Sequence, residues 1–158
     1  MNDSKNDSKN ENKPVIPSDG YLFRVLIIDD DVNSSMIVSS FFPAETCKID
    51  FAFDGISGVI QLSKCPYDLV ILDWHMPFMG GDKVLERIEK LAHKGYYDSH
   101  NKNTQVIVYS AESPSAIHVP QITQFEYLGI LPKMTPVVNR YQTIREIVKK
   151  TLEKREAA

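Results

Sequence analysis

Between residues 67 and 81 the chain reads Tyr67-Asp68-Leu69-Val70-Ile71-Leu72-Asp73-Trp74-His75-Met76-Pro77-Phe78-Met79-Gly80-Gly81. The run from Leu69 to Leu72 is apolar, branched and too short for a helix, so it predicts a strand buried on both faces. Asp73 closes it, and Met76-Pro77 with Gly80-Gly81 forces a loop directly afterwards. Taken alone, such an aspartate is as well explained by a turn cap as by a ligand. The rest of the chain decides between the two.

Residues 23–28 predict a first strand that runs straight into Asp29-Asp30-Asp31. Asp31 or Asn33 can cap a helix to about Phe42, which Pro43 would end. A second strand is expected over residues 47–53, with Ile49, Phe51 and Phe53 alternating. Asp54-Gly55 then opens a helix with Ile56, Val59, Ile60 and Leu62 facing inward, stopping near Cys65-Pro66. Beyond the central strand, Asp82 opens a helix on Val84, Leu85, Ile88 and Leu91. A polar loop carries Tyr96-Tyr97, an aromatic pair expected at the surface. Strand four covers residues 105–109 and ends at Ser110. Residues 112–125 are weakly helical, with Pro120 set to break an interior. Strand five, residues 127–131, ends at Pro132-Lys133. Thr135 and Pro136 start a last helix whose stripe is Val137, Val138, Tyr141, Ile144, Val148 and Leu152.

Strand then helix, five times over, implies an α/β fold with a doubly wound, five-stranded parallel sheet of order 2-1-3-4-5, a flavodoxin-like (βα)5 arrangement. That order would set strands one and three side by side and converge Asp29, Asp30 and Asp73, with Ser110 and Lys133 on the same rim. Three carboxylates so close repel one another by about 4 kcal/mol per pair at 4 Å and an effective dielectric near 20. An oxygen-seeking dication relieves this, and Mg²⁺ suits few carboxylates plus waters and phosphate oxygens. Lys133 adds a mobile positive charge, Ser110 a hydroxyl, and Ala111 leaves space. Together they describe an aspartate that attacks phosphorus, with Mg²⁺ and Lys133 neutralising the phosphoryl oxygens.

Ile28-Asp29-Asp30, the stretch from Asp68 to Pro77 with Gly80-Gly81, Ser110-Ala111 and Lys133 occur in order and at proper spacing. With these marks the chain from about residue 23 to 152 resembles a receiver domain of the response-regulator family. The resemblance implies that Asp73 accepts a phosphoryl group from a histidine kinase or a histidine phosphotransfer protein, in two-component or phosphorelay signalling. It implies that Asp30, Asp73 and the backbone carbonyl of His75 bind Mg²⁺, with Asp29 helping through water, and that Ser110 and Lys133 contact the phosphoryl oxygens. Ala111 and His75 would border the phosphoryl group, and His75 could tune its loss. Such a module is not an enzyme beyond its own phosphorylation and dephosphorylation. Its output is expected through a partner protein or a homodimer.

Two departures from the family stand out. Met134 follows Lys133 where proline with a cis bond is usual, and a cis bond before a non-proline costs about 2.5–4 kcal/mol. Strand five carries Ile130 where the family commonly places a switching Tyr or Phe. Without that ring, phosphorylation is expected to act on the loops at 110–115 and 133–135. Tyr109, Phe125 and Tyr127 are better explained as ordinary core or surface aromatics than as its replacement. A phosphorylation-independent docking module would also suit these departures, though the complete acidic set opposes it. A phosphatase of the haloacid-dehalogenase-like kind would need a second acid two residues after Asp73, where His75 stands.

The chain has 158 residues, 42% hydrophobic and 25% charged, enough for one core-bearing domain. The expected layout is a disordered polar tail over residues 1–20, the receiver domain over 21–154 and a frayed end over 155–158. A net charge of -3 gives no footprint for nucleic acid, and no apolar run is long enough for a membrane span. Cys47 and Cys65 lack metal or disulfide spacing and read as reduced thiols, consistent with an expected cytoplasmic location.

Overall fold

The computed structural model describes residues 19–95 and 103–158, and in it five strands form one parallel sheet of order β2-β1-β3-β4-β5. The strands are β1 (Phe23–Ile28), β2 (Cys47–Ala52), β3 (Leu69–Asp73), β4 (Gln105–Ser110) and β5 (Glu126–Pro132). The helices are α1 (Val32–Ser39), α2 (Gly55–Lys64), α3 (Gly81–His93) and α4 (Val137–Ala157). The residues of β3 are all buried. Each large side chain there contributes about 2 kcal/mol of burial, which explains the unbroken apolar run.

Alternation along the strands splits the core in two. Leu26, Ile28, Val70, Leu72, Val106 and Val108 face α2, α3 and the connection that follows β4. Val25, Ile27, Leu69, Ile71, Ile107 and Tyr109 face α1 and α4. Leu72 pairs with Ile28 and Asp73 with Tyr109, which fixes the register at the carboxyl end of the sheet.

Four helical expectations are corrected. The fifth helix, between β4 and β5, is absent: residues 111–125 hold one 3-10 turn, Pro114–Ala116, and are otherwise irregular. Pro120 removes a donor there, and Ile117, Val119 and Ile122 reach the core without helical spacing. Glu89 of α3 anchors the segment instead, accepting from the Thr123 and Gln124 backbone N–H groups and, at 2.9 Å, from the Thr123 hydroxyl.

In α2, Val59 and Leu62 are buried, but Ile56 and Ile60 are exposed. The helix meets the sheet through Gly58 instead. A Cβ at that position would lie 2.7 Å from Ile28 Cδ1. The third correction is that α1 stops at Ser39, before Phe42. The Ser39 and Ser40 hydroxyls donate to the Met36 and Ile37 carbonyls at 2.8 and 2.6 Å, and Phe41 and Phe42 are buried in the turn that follows.

Finally, α4 is capped at Pro136 rather than Thr135, and Val137, Val138 and Tyr141 are exposed while Arg140, Ile144 and Val148 are buried. This helix continues to Ala157, past the expected fraying point at residue 155. Arg155 holds the end, donating to the Leu22 carbonyl at 2.8 Å and pairing with Asp68. The first 18 residues of the tail expected over residues 1–20, and the Tyr96-Tyr97 pair, lie outside the described residues.

Candidate phosphoryl-acceptor site

The acidic corner sits where β1 and β3 end side by side, at the point where the strand order reverses. Open α/β sheets keep their ligand crevice there. Asp29 extends the β1 face that carries Val25 and Ile27, and Asp73 extends the β3 face of Leu69 and Ile71, so both side chains share one face of the sheet. Asp29, Asp30 and Asp73 can each offer an oxygen within 4.8 Å of the others. Asp29 and Asp73 are buried, and Asp30 is exposed.

Asp29 is saturated. Its Oδ1 accepts from the Asp31 N–H at 2.9 Å, and its Oδ2 accepts from the Ser34 hydroxyl at 2.7 Å and from Lys133 Nζ at 2.9 Å. Ser34 escaped the sequence analysis. The signal available was its position three residues after the Asp31 cap, which turns its side chain back toward the strand end. Lys133 Nζ also lies 3.3 Å from Asp73 Oδ1, so one ammonium bridges both buried acids. Burial pushes the Asp73 carboxyl up to about 6; Lys133 pulls it back and the Asp29 charge adds to the rise. Burial alone would lower the Lys133 ammonium, but its bonds to Asp29 and Asp73 outweigh this and hold it above its ordinary value.

The loop after Asp73 is shaped by close approach. A Cβ on Gly81 would sit 2.8 Å from the Asp73 carbonyl oxygen and 2.8 Å from the Trp74 ring, so only glycine lets α3 begin this near the acceptor strand. Phe78 tops the loop at φ 65° and is fully exposed. Trp74 is buried. His75 reaches across to the β4 side, its Nε2 2.8 Å from Glu112 Oε1. Only His75 of that pair was singled out from the sequence.

Ser110 is fully buried, and its Oγ accepts from the Glu112 N–H at 3.1 Å. No hydrogen bond joins Ser110 Oγ to an acidic side chain among the described residues. Its carbonyl accepts from the Lys133 N–H at 2.7 Å, tying the ends of β4 and β5 together. Ala111 is exposed beside it. No cis bond occurs among the described residues, so Lys133–Met134 is trans. The lysine reaches the acids from a turn in which the Thr135 N–H donates to the Pro132 carbonyl at 3.0 Å. Ile130 packs against the core. Of the three other aromatics, Phe125 is buried, Tyr127 is exposed, and Tyr109 is buried with Lys133 Nζ 5.2 Å from its ring centroid.

Three oxygen-donor carboxylates at the mouth of a crevice, two of them buried, fit a small hard cation such as Mg²⁺. A lysine beside them suits an anionic group.

The sequence profile of the response regulator receiver domain matches residues 25–148. The transcription factor prr1 of Schizosaccharomyces pombe is 30% identical over 113 residues, 70% of this chain and 21% of that protein. Transcriptional regulatory protein YclJ of Bacillus subtilis is 25% identical over 128 residues, 79% of this chain and 55% of that protein. The chain therefore spans a fifth to about half the length of these two relatives. Among solved structures, a chain of the CheX-CheY-BeF3-Mg+2 complex from Borrelia burgdorferi superposes with a TM-score of 0.63 at 27% identity, covering 82% of this chain and 92% of that one. No helix among the described residues is long and apolar enough to cross a membrane.

Proposed function

The chain belongs to the response regulator receiver domain family, and from that premise we propose that it takes a phosphoryl group onto Asp73 from a phosphohistidine of a histidine kinase or phosphotransfer protein. The observation that carries this reading is the Lys133 ammonium held 2.9 Å from Asp29 and 3.3 Å from Asp73 at the ends of adjacent strands. An Asp73 carboxylate oxygen forms the new bond to phosphorus, the phosphorus–nitrogen bond breaks, and the imidazole leaves with its electron pair.

Lys133 is already inside the crevice and can turn from Asp73 to the transferred oxygens without crossing solvent. Ser110 contributes its hydroxyl hydrogen, since its oxygen already accepts from Glu112. Asp30, Asp73 and the His75 carbonyl would hold Mg²⁺, with Asp29 helping through water, and the ion when bound would offset the carboxylate and phosphoryl charge. The His75–Glu112 pair spans the mouth beside the acceptor and narrows the approach of water to the acyl phosphate. Output runs through a partner protein or a second copy, and the module acts in the cytoplasm.

Intact-mass spectrometry tests this. Incubated with Mg²⁺ and a small acyl phosphate, the wild-type protein should gain about 80 Da, one phosphoryl group, and Asp73→Asn should gain nothing. An unlabelled wild type would return the chain to a docking module that works without phosphorylation. Equal labelling of both would move the acceptor elsewhere.

A further inference from the structure

Arg140 is the buried charged group that the acceptor chemistry leaves unused. It lies in the first turn of α4 and is 9% exposed. Among the described residues its side chain makes one hydrogen bond, from Nη1 to the Tyr109 hydroxyl, and its Nε has no partner. No carboxylate pairs with it there. A buried guanidinium without an anion is costly and leans on whatever electron density surrounds it. Here that is the ring of Phe41 at 5.8 Å, the ring of Tyr109 at 6.0 Å and the phenol oxygen.

Tyr109 is also the residue in register with Asp73 on β3 and Leu131 on β5, and it faces the same side of the sheet as both. Its ring carries a second cation, Lys133 Nζ, 5.2 Å from the centroid. One aromatic ring therefore touches both the lysine of the acceptor site and the arginine of the last helix. The face of an aromatic ring attracts an ammonium. The ring thus restrains the Lys133 stem where it reaches Asp29 and Asp73 together.

We propose that Tyr109 is a positioning residue for Lys133, and that its hydroxyl, through Arg140, ties the acceptor site to the first turns of α4. The inference rests on the reading of Asp73 as phospho-acceptor. Phosphorylation supplies the differential contact that a switch requires. New phosphoryl oxygens draw Lys133 from the Tyr109 face, and the ring then answers to Arg140 alone. The hydroxyl–guanidinium bond passes the change to residues 137–144. This route runs through β4 and does not need an aromatic at Ile130. It extends the response beyond the loops at 110–115 and 133–135 to which the sequence had confined it.

The test separates the ring from the hydroxyl in the full chain. Labelling rates with a small acyl phosphate report on Lys133, and hydrogen exchange over residues 137–144, with and without beryllium trifluoride and Mg²⁺, reports on the tie. Tyr109→Leu should label about tenfold more slowly, the loss expected for a desolvated cation–ring contact. Tyr109→Phe keeps the ring and should label at close to the wild-type rate while losing the exchange response of α4. Arg140→Met, which keeps bulk in the core, should behave like Tyr109→Phe; these two variants carry the test if Tyr109→Leu does not fold.

Wild-type labelling of Tyr109→Leu, or slow labelling of Tyr109→Phe, would overturn the positioning role. An α4 response that survives in both Tyr109→Phe and Arg140→Met would overturn the tie. In either case a normally labelled wild type leaves the acceptor reading standing, whereas an unlabelled wild type removes that reading and this inference with it.

Discussion

Two carboxylates, one at the end of a strand and one on a helix, are treated in opposite ways. Asp73, at the end of β3, is buried beside Asp29 and has its proton affinity pushed up to about 6. Glu89, on α3, is held below its ordinary value: burial raises it, but the donors from Thr123 and Gln124 prevail. Asp73 has Lys133 beside it, but burial outweighs that partner, which leaves its charge open to a cation or an electrophile. Glu89 has its oxygens committed to clamping the irregular connection between β4 and β5. A carboxylate whose charge is incompletely compensated is available for chemistry, and one that is saturated serves architecture.

The contrast predicts effects of different size and sign. The largest concerns the metal. Mg²⁺ should stabilise the wild type by about 2.7 kcal/mol at a hundredfold excess over its dissociation constant, because the unfolded chain does not assemble the three acids. Asp30→Ala should abolish the shift in thermal midpoint. Glu89→Ala should leave the shift intact. A shift that survives in Asp30→Ala would place the cation elsewhere.

Next comes pH dependence without metal. The folded pKa of Asp73 lies above the unfolded value near 3.8, so the folded state binds a proton that the unfolded state releases between those two values. Keeping Asp73 charged therefore costs stability above about pH 6, and the cost fades as pH falls toward 4. Asp73→Asn should stabilise the metal-free protein at pH 7 to 8 by about 2 kcal/mol, with the gain shrinking on acidification. Denaturant melts at pH 8 and pH 4.5 check this. For Glu89 the sign reverses: its folded value is depressed, so its contribution is present above the ordinary carboxylate range and is lost as pH falls through the folded value.

Smaller still, Glu89→Ala should cost about 1–2 kcal/mol, since the exposed Thr123 donors regain water when they lose the carboxylate while the part-buried Gln124 N–H regains less. Faster hydrogen exchange should be confined to residues 117–125. Unchanged labelling of Asp73 in that variant would show that the acidic corner stands independently of the connection. The smallest effect on stability is expected at the exposed His75–Glu112 pair, where Glu112→Ala should change the melting midpoint by less than about 1 kcal/mol. It should nonetheless shorten the lifetime of the phosphorylated state, followed by decay of the added mass. A lifetime equal to wild type would remove the pair from the acceptor's surroundings.

The same contrast explains what the sequence disclosed. Asp29, Asp73 and Lys133 each end or follow a strand whose apolar run is unmistakable, so their convergence follows from sheet order alone. Gly81 was read only as a loop former, whereas it is the first residue of α3, packed against the Asp73 carbonyl. The connection after β4 was not legible. Its weak periodicity admitted a helix, and the contact that replaces one joins Glu89 to Thr123 across 34 residues. Arg140 was hidden similarly: a charged residue in a helix predicts solvent, and its partner Tyr109 lies 31 residues away on strand β4. The outward turn of Ile56 and Ile60 depends on Gly58 meeting Ile28, a packing fact that periodicity weights the wrong way. Local pattern records what each element needs to bury, and it is silent on which neighbour satisfies a polar group.

The most direct measurement is the position of the phosphoryl group itself. Borohydride reduces an aspartyl phosphate to homoserine, and peptide sequencing by mass spectrometry then marks the residue that carried it. After treatment with Mg²⁺ and an acyl phosphate, the mark should fall on Asp73, with Asp29 and Asp30 unmodified. A mark on Asp29, Asp30 or any other residue, in protein that has gained the phosphoryl mass, would contradict the account.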